Sequence, residues 1–546
     1  MAKAIVTYAR GWQALAITRS LGQHGVEVWC GEEAPFAPCF FSKYCAGNFR
    51  YPSFATDPEG FLDKLEEEVI RLKPDDPDEP YVLMPVHKET WLIAEHRDRF
   101  EPHIRVPLTT HDNMVRSHDK GKLANLAEFL DIRIPKTLQY KSLDDVYRAI
   151  PDIQFPVFLK VREGASGVGV KRCDTPEELT SSFRQFVEGY ELSPDEYPLI
   201  QSAVDGEDHC VTVLFDKGRC VAIMTYRNVR QFPRETGASA LRETVPLPEA
   251  EAESIRLLKH LDWHGMAELD YRVEPDGTGH LIEVNPRFFG GLSQAVASNV
   301  DYPWLLFQLA SGVELETPVI DDTAKTEVPI MGLLATLDEI AQDDAVMGKL
   351  KTLRDEASAL GRQDVRDLRL RPFWSALKSA AKTSDARAVI REKLAEHEGS
   401  INEVVRSDDP LPALGALYPL ALMLKHGRLS VGMLTGEDDP IDTTERRSFR
   451  GQIRHPRWKT LALTAVLFTL SVFFANWAVT ADTLGWALGW SLRLGTKLFH
   501  GDIANRASPL GALAFTATHL LNLAFLYGLS ALILREGRGE PDPQEP

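Results

Sequence analysis

Residues 265–287 read Gly-Met-Ala-Glu-Leu-Asp-Tyr-Arg-Val, then a polar turn, then His-Leu-Ile-Glu-Val-Asn-Pro-Arg. Two runs of alternating apolar residues flank Pro275, Asp276, Gly277, Thr278 and Gly279, the pattern of a two-stranded hairpin. Side chains of a strand alternate between its faces. Glu283 and Asn285 therefore leave one face together, and Asp270 can meet them from the partner strand. Two carboxylates and an amide oxygen at one point suit a hard divalent cation such as Mg2+. Arg287 follows with a charge suited to oxyanions. A surface hairpin with a wet polar face is the plainer alternative.

The chain around this hairpin has 546 residues, too many for a single core, which predicts about three structural units. Apolar residues make up 44% and charged residues 26%, as in ordinary globular proteins. A net charge of −18 without a basic stripe argues against nucleic acid as a partner. Cys30, Cys39, Cys45, Cys173, Cys210 and Cys220 lack paired metal spacing and read as thiols of a reducing compartment. No N-terminal signal peptide is expected, because the first residues run straight into a strand-like stretch.

Residues 4–30 predict strand, helix and strand, the opening of a doubly wound α/β domain without a full dinucleotide fingerprint. Residues 81–86 predict another buried strand. His87, Lys88 and Glu89 sit at its carboxyl end, where such folds place ligand groups, although a solvated helix start explains them equally well. Asp119 and Lys120 open a helix. An apolar strand, 155–160, ends in Lys160, and a Gly-rich stretch with Gly164, Ser166, Gly167 and Gly169 follows. Such a loop lets backbone N–H groups approach a polyphosphate, but it lacks the Gly-Lys-Ser/Thr ending of a P-loop. Residues 199–204 form a short strand, and residues 227–239 read as a polar loop carrying Arg227, Arg230 and Arg234.

A strand lysine, a Gly-rich loop and a carboxylate hairpin, in that order, resemble the ATP-grasp superfamily of ligases. The resemblance covers about residues 1–315. Within it, residues 285–291 and 301–306 look most like the carboxylate–amine ligase-like ATP-grasp proteins. The resemblance implies that Lys120 and Lys160 bind phosphates, with the loop of Gly164, Ser166, Gly167 and Gly169 closing over them. It implies a hinge strand from Gln201 to Val204 against adenine, and Asp208 on the ribose with Glu207 as the near alternative. Asp270, Glu283 and Asn285 match the ligands of Mg2+, with Mn2+ as the other candidate ion, and Arg287 and Lys160 match the catalytic charges. Two departures stand out. Gln201 occupies a position where many members have glutamate, and Glu268 leaves the same face as Asp270 and competes for the first metal position.

The resemblance further implies an ADP-forming ligase. It would activate a carboxylate as an acyl phosphate for attack by an amine, with ATP and small-molecule acid and amine substrates as partners. A non-catalytic ATP-binding regulatory or scaffold protein is the alternative. The expected fold class is α/β and α+β. A Rossmann-like domain (1–112) precedes an ATP-grasp domain (113–315), then a helical accessory region (316–455) and a transmembrane hairpin with C-terminal tail (456–546). The last part rests on two uncharged stretches, 460–481 and 507–534, each long enough for a span of ~20 apolar residues, with basic residues on their outer flanks. They predict a multi-pass membrane protein with two spans and both termini cytoplasmic, and lipid or envelope precursors as substrates. Residues 484–500 read as an interfacial or re-entrant segment. The apolar stretch 410–424, interrupted by Pro412 and Pro419, would pack on the enzyme or lie at the membrane surface.

Overall fold

The computed structural model describes residues 1–163, 169–232, 238–328, 397 and 399–417, all within one compact unit. The chain opens with β1 (Lys3–Val6), α1 (Trp12–Gln23), β2 (Glu27–Glu32), β3 (Cys45–Arg50), α2 (Pro58–Leu72), β4 (Tyr81–Met84), α3 (Glu89–Glu95) and α4 (Arg97–Phe100). The four strands pair in parallel in the order β3-β2-β1-β4. Ala4, Ile5 and Val6 are buried on both faces of the sheet, which is why β1 shows no polar alternation. α2 starts where Asp57 accepts a hydrogen bond from Gly60 N, with Pro58 in the first turn. Its Phe61, Leu62 and Leu65 pack against Ile5 and Leu83. The strand, helix and strand expected over residues 4–30 and the buried strand expected over 81–86 are present.

Two helices, α5 (His111–His118) and α6 (Lys120–Phe129), lead to a four-stranded antiparallel sheet. Its elements are β5 (Thr137–Leu138), α7 (Leu143–Ala149), β6 (Val157–Lys160), β7 (Val170–Cys173), α8 (Pro176–Gly189) and β8 (Leu199–Ser202), with strand order β5-β8-β6-β7. The larger sheet follows: β9 (Glu207–Asp216), β10 (Arg219–Phe232), β11 (Ala238–Thr244), α9 (Pro248–His260), β12 (Gly265–Val273), β13 (Gly279–Asn285), α10 (Leu292–Ala297), α11 (Tyr302–Ala310), β14 (Lys325–Glu327) and β15 (Ile401–Asn402). Its order is β13-β12-β9-β10-β11-β14-β15. One face of this sheet, with Val211, Val213, Phe215, Ala267, Leu269 and Leu281, packs on Leu257 and Leu258 of α9 and Leu123 of α6. The other face carries the polar residues considered below.

The hairpin is the expected one, with a refinement. Asp270 lies opposite Glu283 and Tyr271 opposite Leu281, so Ile282 is an extra residue, a β-bulge. The bulge resets the alternation. Leu281 and Val284 both pack in the core, while Glu283 and Asn285 share the other side.

Three expectations are corrected. Residues 227–239 are not a free polar loop: β10 runs on to Phe232 and β11 starts at Ala238. Arg227 pairs with Glu207 (2.9 Å) and Glu243, and Arg230 Nη1 reaches His397 Nε2 (2.9 Å). Arg234 lies outside the described residues. The helix-prone reading of the accessory region fails at its described end, where β15 pairs in parallel with β14 and a 3-10 turn covers Leu411–Leu417. That turn packs back on the body of the protein, with Gly415 against Pro38. The multi-pass localisation is also corrected. Among the described residues no helix is long and apolar enough to cross a membrane, and the 15-residue α2 falls short of the ~20 apolar residues that a span needs. The stretches 460–481, 484–500 and 507–534 lie outside the described residues.

Candidate active site

The polar face of the large sheet brings most of the expected residues together. Glu283, Asp270, Cys210 and Tyr226 form one cross-strand row over β13, β12, β9 and β10, and Asn285 and Glu268 form the next. Asn285 Nδ2 donates to Asp270 (3.2 Å) and lies 3.5 Å from both Glu268 and Glu283. Its Oδ1 accepts from Arg287 Nη2 (3.2 Å). Arg287 Nη1 donates to Phe288 O (3.1 Å).

Both lysines reach this row from other elements. Asp119 caps α6 by accepting from Gly121 N and Lys122 N, each at 2.8 Å, and Arg162 (3.3 Å) braces that carboxylate. The cap sets Lys120 in the first turn, where its Nζ lies 3.3 Å from Glu283 Oε2. Lys160 ends β6 and donates to Gln201 Oε1 on the neighbouring β8 (2.7 Å). Gln201 Nε2 in turn donates to Thr137 Oγ1 (3.0 Å). The amide that departs from the usual glutamate thus holds the Lys160 ammonium through its oxygen.

Electrostatics divides the carboxylates. Burial pushes Glu283 up, but Lys120, His118, a hydrogen bond with Asp270 and Lys160 together hold it down at about 2. Asp270 is pushed well above the carboxylate range by burial and by the charges of Glu268 and Glu283. Burial also raises Glu268, against a hydrogen bond from Tyr226 Oη (2.6 Å). Acidic groups packed so closely out of water repel unless a cation joins them, so the donor set fits a divalent metal. Asp270 and Glu283 would be its ligands. Asn285 would join through Oδ1, which requires its amide to turn from the orientation described. Burial pushes Lys160 down to about 8 and, with Lys120 beside it, His118 down to about 4.

Other expected residues have different surroundings. Asp208 is bound on both oxygens, by Arg272 Nη1 (2.6 Å) and Gln231 Nε2 (2.7 Å). Glu207 faces solvent beside Arg227. Val204 O accepts from Arg272 Nε at 3.4 Å. Gly169 has φ 69°, and a Cβ there would come 2.2 Å from Val161. Gly164, Ser166 and Gly167 lie outside the described residues.

Cys210 and Tyr226 were not foreseen. The thiol of Cys210 and one oxygen each of Glu268 and Asp270 lie within 4.8 Å of one another. The signal was present: Cys210 is two residues from Asp208 and so on its face, but β9 begins at Glu207, earlier than the apolar run at Val211 suggests. Tyr226 is held by the Gly-Gly that follows the hairpin. A Cβ on Gly291 would lie 2.4 Å from its Oη. Gly291→Ala should therefore destabilise the chain by about 1–3 kcal/mol, read as a lower urea midpoint.

Residues 196–329 match the family model described as "ATP-grasp in the biosynthetic pathway with Ter operon". The chain is similar to the carbamoyl phosphate synthase large chain of Helicobacter pylori, 25% identical over 31% of this chain and 16% of that one. It is also similar to the arginine-specific large chain of Eremothecium gossypii, 24% identical over 45% and 23%. The chain thus spans less than a quarter of the length of these curated relatives. Among solved structures, the biotin carboxylase domain of the Hydrogenobacter thermophilus 2-oxoglutarate carboxylase, in complex with MgADP, ADP and bicarbonate, is 14% identical. It covers 60% of this chain and 73% of that one, at a TM-score of 0.48. Residues 196–329 are therefore the part of the chain that matches an ATP-grasp family.

Proposed function

We propose that the chain is an ADP-forming ligase that activates a carboxylate as an acyl phosphate for attack by an amine. The observation that carries this reading is the 3.3 Å contact of Lys120 with Glu283, which ties the phosphate-binding lysine to the metal-binding hairpin. We propose the division of labour read from the sequence: a Rossmann-like domain over 1–112 and an ATP-grasp domain over 113–315. Lys120 and Lys160 bind the phosphate tail of ATP. Gly169 and the loop before it close over that tail and keep water from the acyl phosphate. Gln201 and Val204 flank adenine, and Asp208 meets the ribose while Arg272 holds it. Asp270, Glu283 and Asn285 would hold Mg2+ or Mn2+, which would supply positive charge to the phosphates. Arg287 stabilises charge on the transferred phosphoryl group.

Purified protein screened for ADP release against acid and amine pairs tests the reading. ADP release that requires both an acid and an amine (or hydroxylamine as a general nucleophile) supports it. Nucleotide binding without ADP release under any pair would leave a non-catalytic ATP-binding protein instead.

Lys160 gives the ATP site a pH signature. The free protein holds it at about 8, and a polyphosphate beside it favours the ammonium and raises that value. Between the two values, binding takes up a proton, so ATP affinity should fall as pH climbs through 8. Calorimetry in buffers of different ionisation enthalpy reads this uptake. Lys160→Arg, which stays charged, should abolish it.

A further inference from the structure

The last strand of the large sheet comes from far along the chain. β15 pairs in parallel with β14, and Glu403, just past it, continues the ladder by donating its N–H to Glu327 O (3.0 Å). Its carbonyl accepts from Arg19 Nη1 (2.9 Å) on α1, so its backbone is fixed on both sides. Its side chain is buried. Glu403 Oε1 accepts from Thr326 Oγ1 (2.7 Å) and from Arg242 Nη1, which belongs to a residue 161 positions earlier. Glu403 is 5% exposed and Arg242 is 4% exposed. Glu403 is the only carboxylate paired with Arg242 among the described residues. Arg242 Nη2 donates to Ser239 O (3.0 Å), and its buried Nε has no hydrogen-bond partner among the described residues. Glu403 therefore both balances and aims the Arg242 charge.

Arg242 stands on the polar face of the sheet, one step from the carboxylates. In the ladder of β10 and β11, Tyr226 lies opposite Thr244 and Asn228 opposite Arg242, so Arg242 and Tyr226 are diagonal neighbours on one face. Their tips lie against the same turn. A Cβ on Gly290 would come 3.8 Å from Arg242 Nη2, and one on Gly291 would come 2.4 Å from Tyr226 Oη. Tyr226 Oη donates to Glu268 Oε1 (2.6 Å), and Glu268 Oε2 lies 3.5 Å from Asn285 Nδ2. A buried line of polar groups thus runs from Glu403 by way of Arg242 and Tyr226 to Glu268, beside Asp270. Burial raises Tyr226 and Glu268, and the Arg242 charge opposes the rise in both. With water excluded, that charge is weakly screened.

We propose that Glu403 is a positioning residue for the metal site: by holding Arg242, it keeps Glu268 beside Asp270 as an acceptor from Tyr226. This deepens the ligase reading above and rests on its assignment of the metal to the hairpin. Glu268 and Asp270 leave the same strand face and compete for the metal. A carboxylate whose oxygen accepts from Tyr226, and whose charge Arg242 meets, stays out of that competition. When Glu403 loses its charge, Arg242 keeps its own and turns to the anion it already acts on, Glu268. Negative charge is then drawn away from the bound cation, and metal affinity falls.

The test reads Mn2+ binding to the full chain from the paramagnetic resonance signal of the free ion, and needs no turnover. Glu403→Gln keeps an oxygen for Arg242 and Thr326 and removes only the charge. It should weaken Mn2+ binding about 3- to 10-fold, less than the ~10- to 100-fold typical of groups that touch a metal ligand directly. In a Glu268→Gln background the same substitution should change affinity by less than about twofold, because its target has lost its charge. Asp409→Asn loosens the same segment from α1. Where folded, it should keep Mn2+ affinity within about twofold of wild type, which separates the Glu403 charge from the anchoring of the segment. A loss below about twofold in Glu403→Gln, a larger loss that persists in the Glu268→Gln background, or an equal loss in Asp409→Asn overturns the proposal. A wild-type chain that binds no Mn2+ overturns it together with the metal assignment. If Mn2+ responds as expected while no acid and amine pair releases ADP, the ligase reading falls and the positioning role stands.

Discussion

Glu283→Gln should lower ADP release at saturating ATP and Mg2+ by about a thousandfold, with the chain still folded. Three observations set the size of the effect. Glu283 is the acid that stays charged in the cluster, held at about 2 by the surrounding cations despite its burial. It lies opposite Asp270 across the hairpin and 3.3 Å from Lys120, so it links the proposed metal ligands to the proposed phosphate-binding lysine. It also sits beside the bulge that turns it, with Asn285, away from the core face of Leu281. Glutamine keeps the shape, and its Oε1 can still accept from Lys120, so no buried ammonium is stranded. What disappears is one negative charge and one strong donor of the proposed metal site. The midpoint of the Mg2+ titration should rise together with the loss in rate. A rate within tenfold of wild type, with an unchanged Mg2+ midpoint, would sink the assignment of this hairpin to the metal. His118→Gln makes a useful contrast. His118 Nδ1 lies 3.2 Å from Val284 O and the ring packs on Trp91, so it is expected to affect stability more than Mg2+ dependence.

How much of this site could be read from the sequence depended on how local each signal was. The pairing of Asp270 with Glu283 was legible because both strands and their turn lie within one short stretch, and the turn fixes the register. Lys120 was legible through Asp119, a capping residue one position before the helix. Lys160 was legible as a charge ending an apolar strand. Cys210 and Tyr226 were not, because their place depends on β9 lying between β12 and β10, a pairing that no short stretch encodes. Residues 227–239 misled for a related reason. The strands there have one face on the polar site and the other paired with charged neighbours, so they lack the alternation that usually identifies a strand. The Arg272–Asp208 pair was hidden for the same reason, since it joins neighbouring strands far apart in sequence. The return of residues 399–417 onto the N-terminal part was the least legible, because its contacts span nearly 400 positions.

That return gives the largest expected effect on stability. Asp409→Asn should destabilise the chain by about 3–5 kcal/mol, the usual cost of stranding one partner of a buried ion pair. Asp409 is 1% exposed and Arg19, on α1, is 3% exposed. Asp409 Oδ2 accepts from Arg19 Nε (2.9 Å) and Ser42 Oγ (2.8 Å), and Oδ1 accepts from Lys43 N (2.9 Å). Arg19 also donates to the carbonyls of Glu403, Val404 and Asp409, each within 3.0 Å. The guanidinium is therefore satisfied only while residues 403–409 lie against α1. Burial already pulls the Arg19 pKa down against the support of Asp409, so a neutral Asn leaves the cation without its main compensation. A second anchor, Glu403 with Arg242 and Thr326 Oγ1 (2.7 Å), keeps β15 on β14 and limits the damage to the α1 side. The double variant Arg19→Met with Asp409→Asn removes the stranded charge and should recover part of the loss. Urea denaturation reads both numbers. Because Asp409 pairs with α1 rather than with the hairpin, the ATP concentration for half-maximal rate should hold at temperatures where the variant is folded. A loss under about 1 kcal/mol would place this pair among exposed ion pairs, which contribute little, and would contradict the burial that defines it.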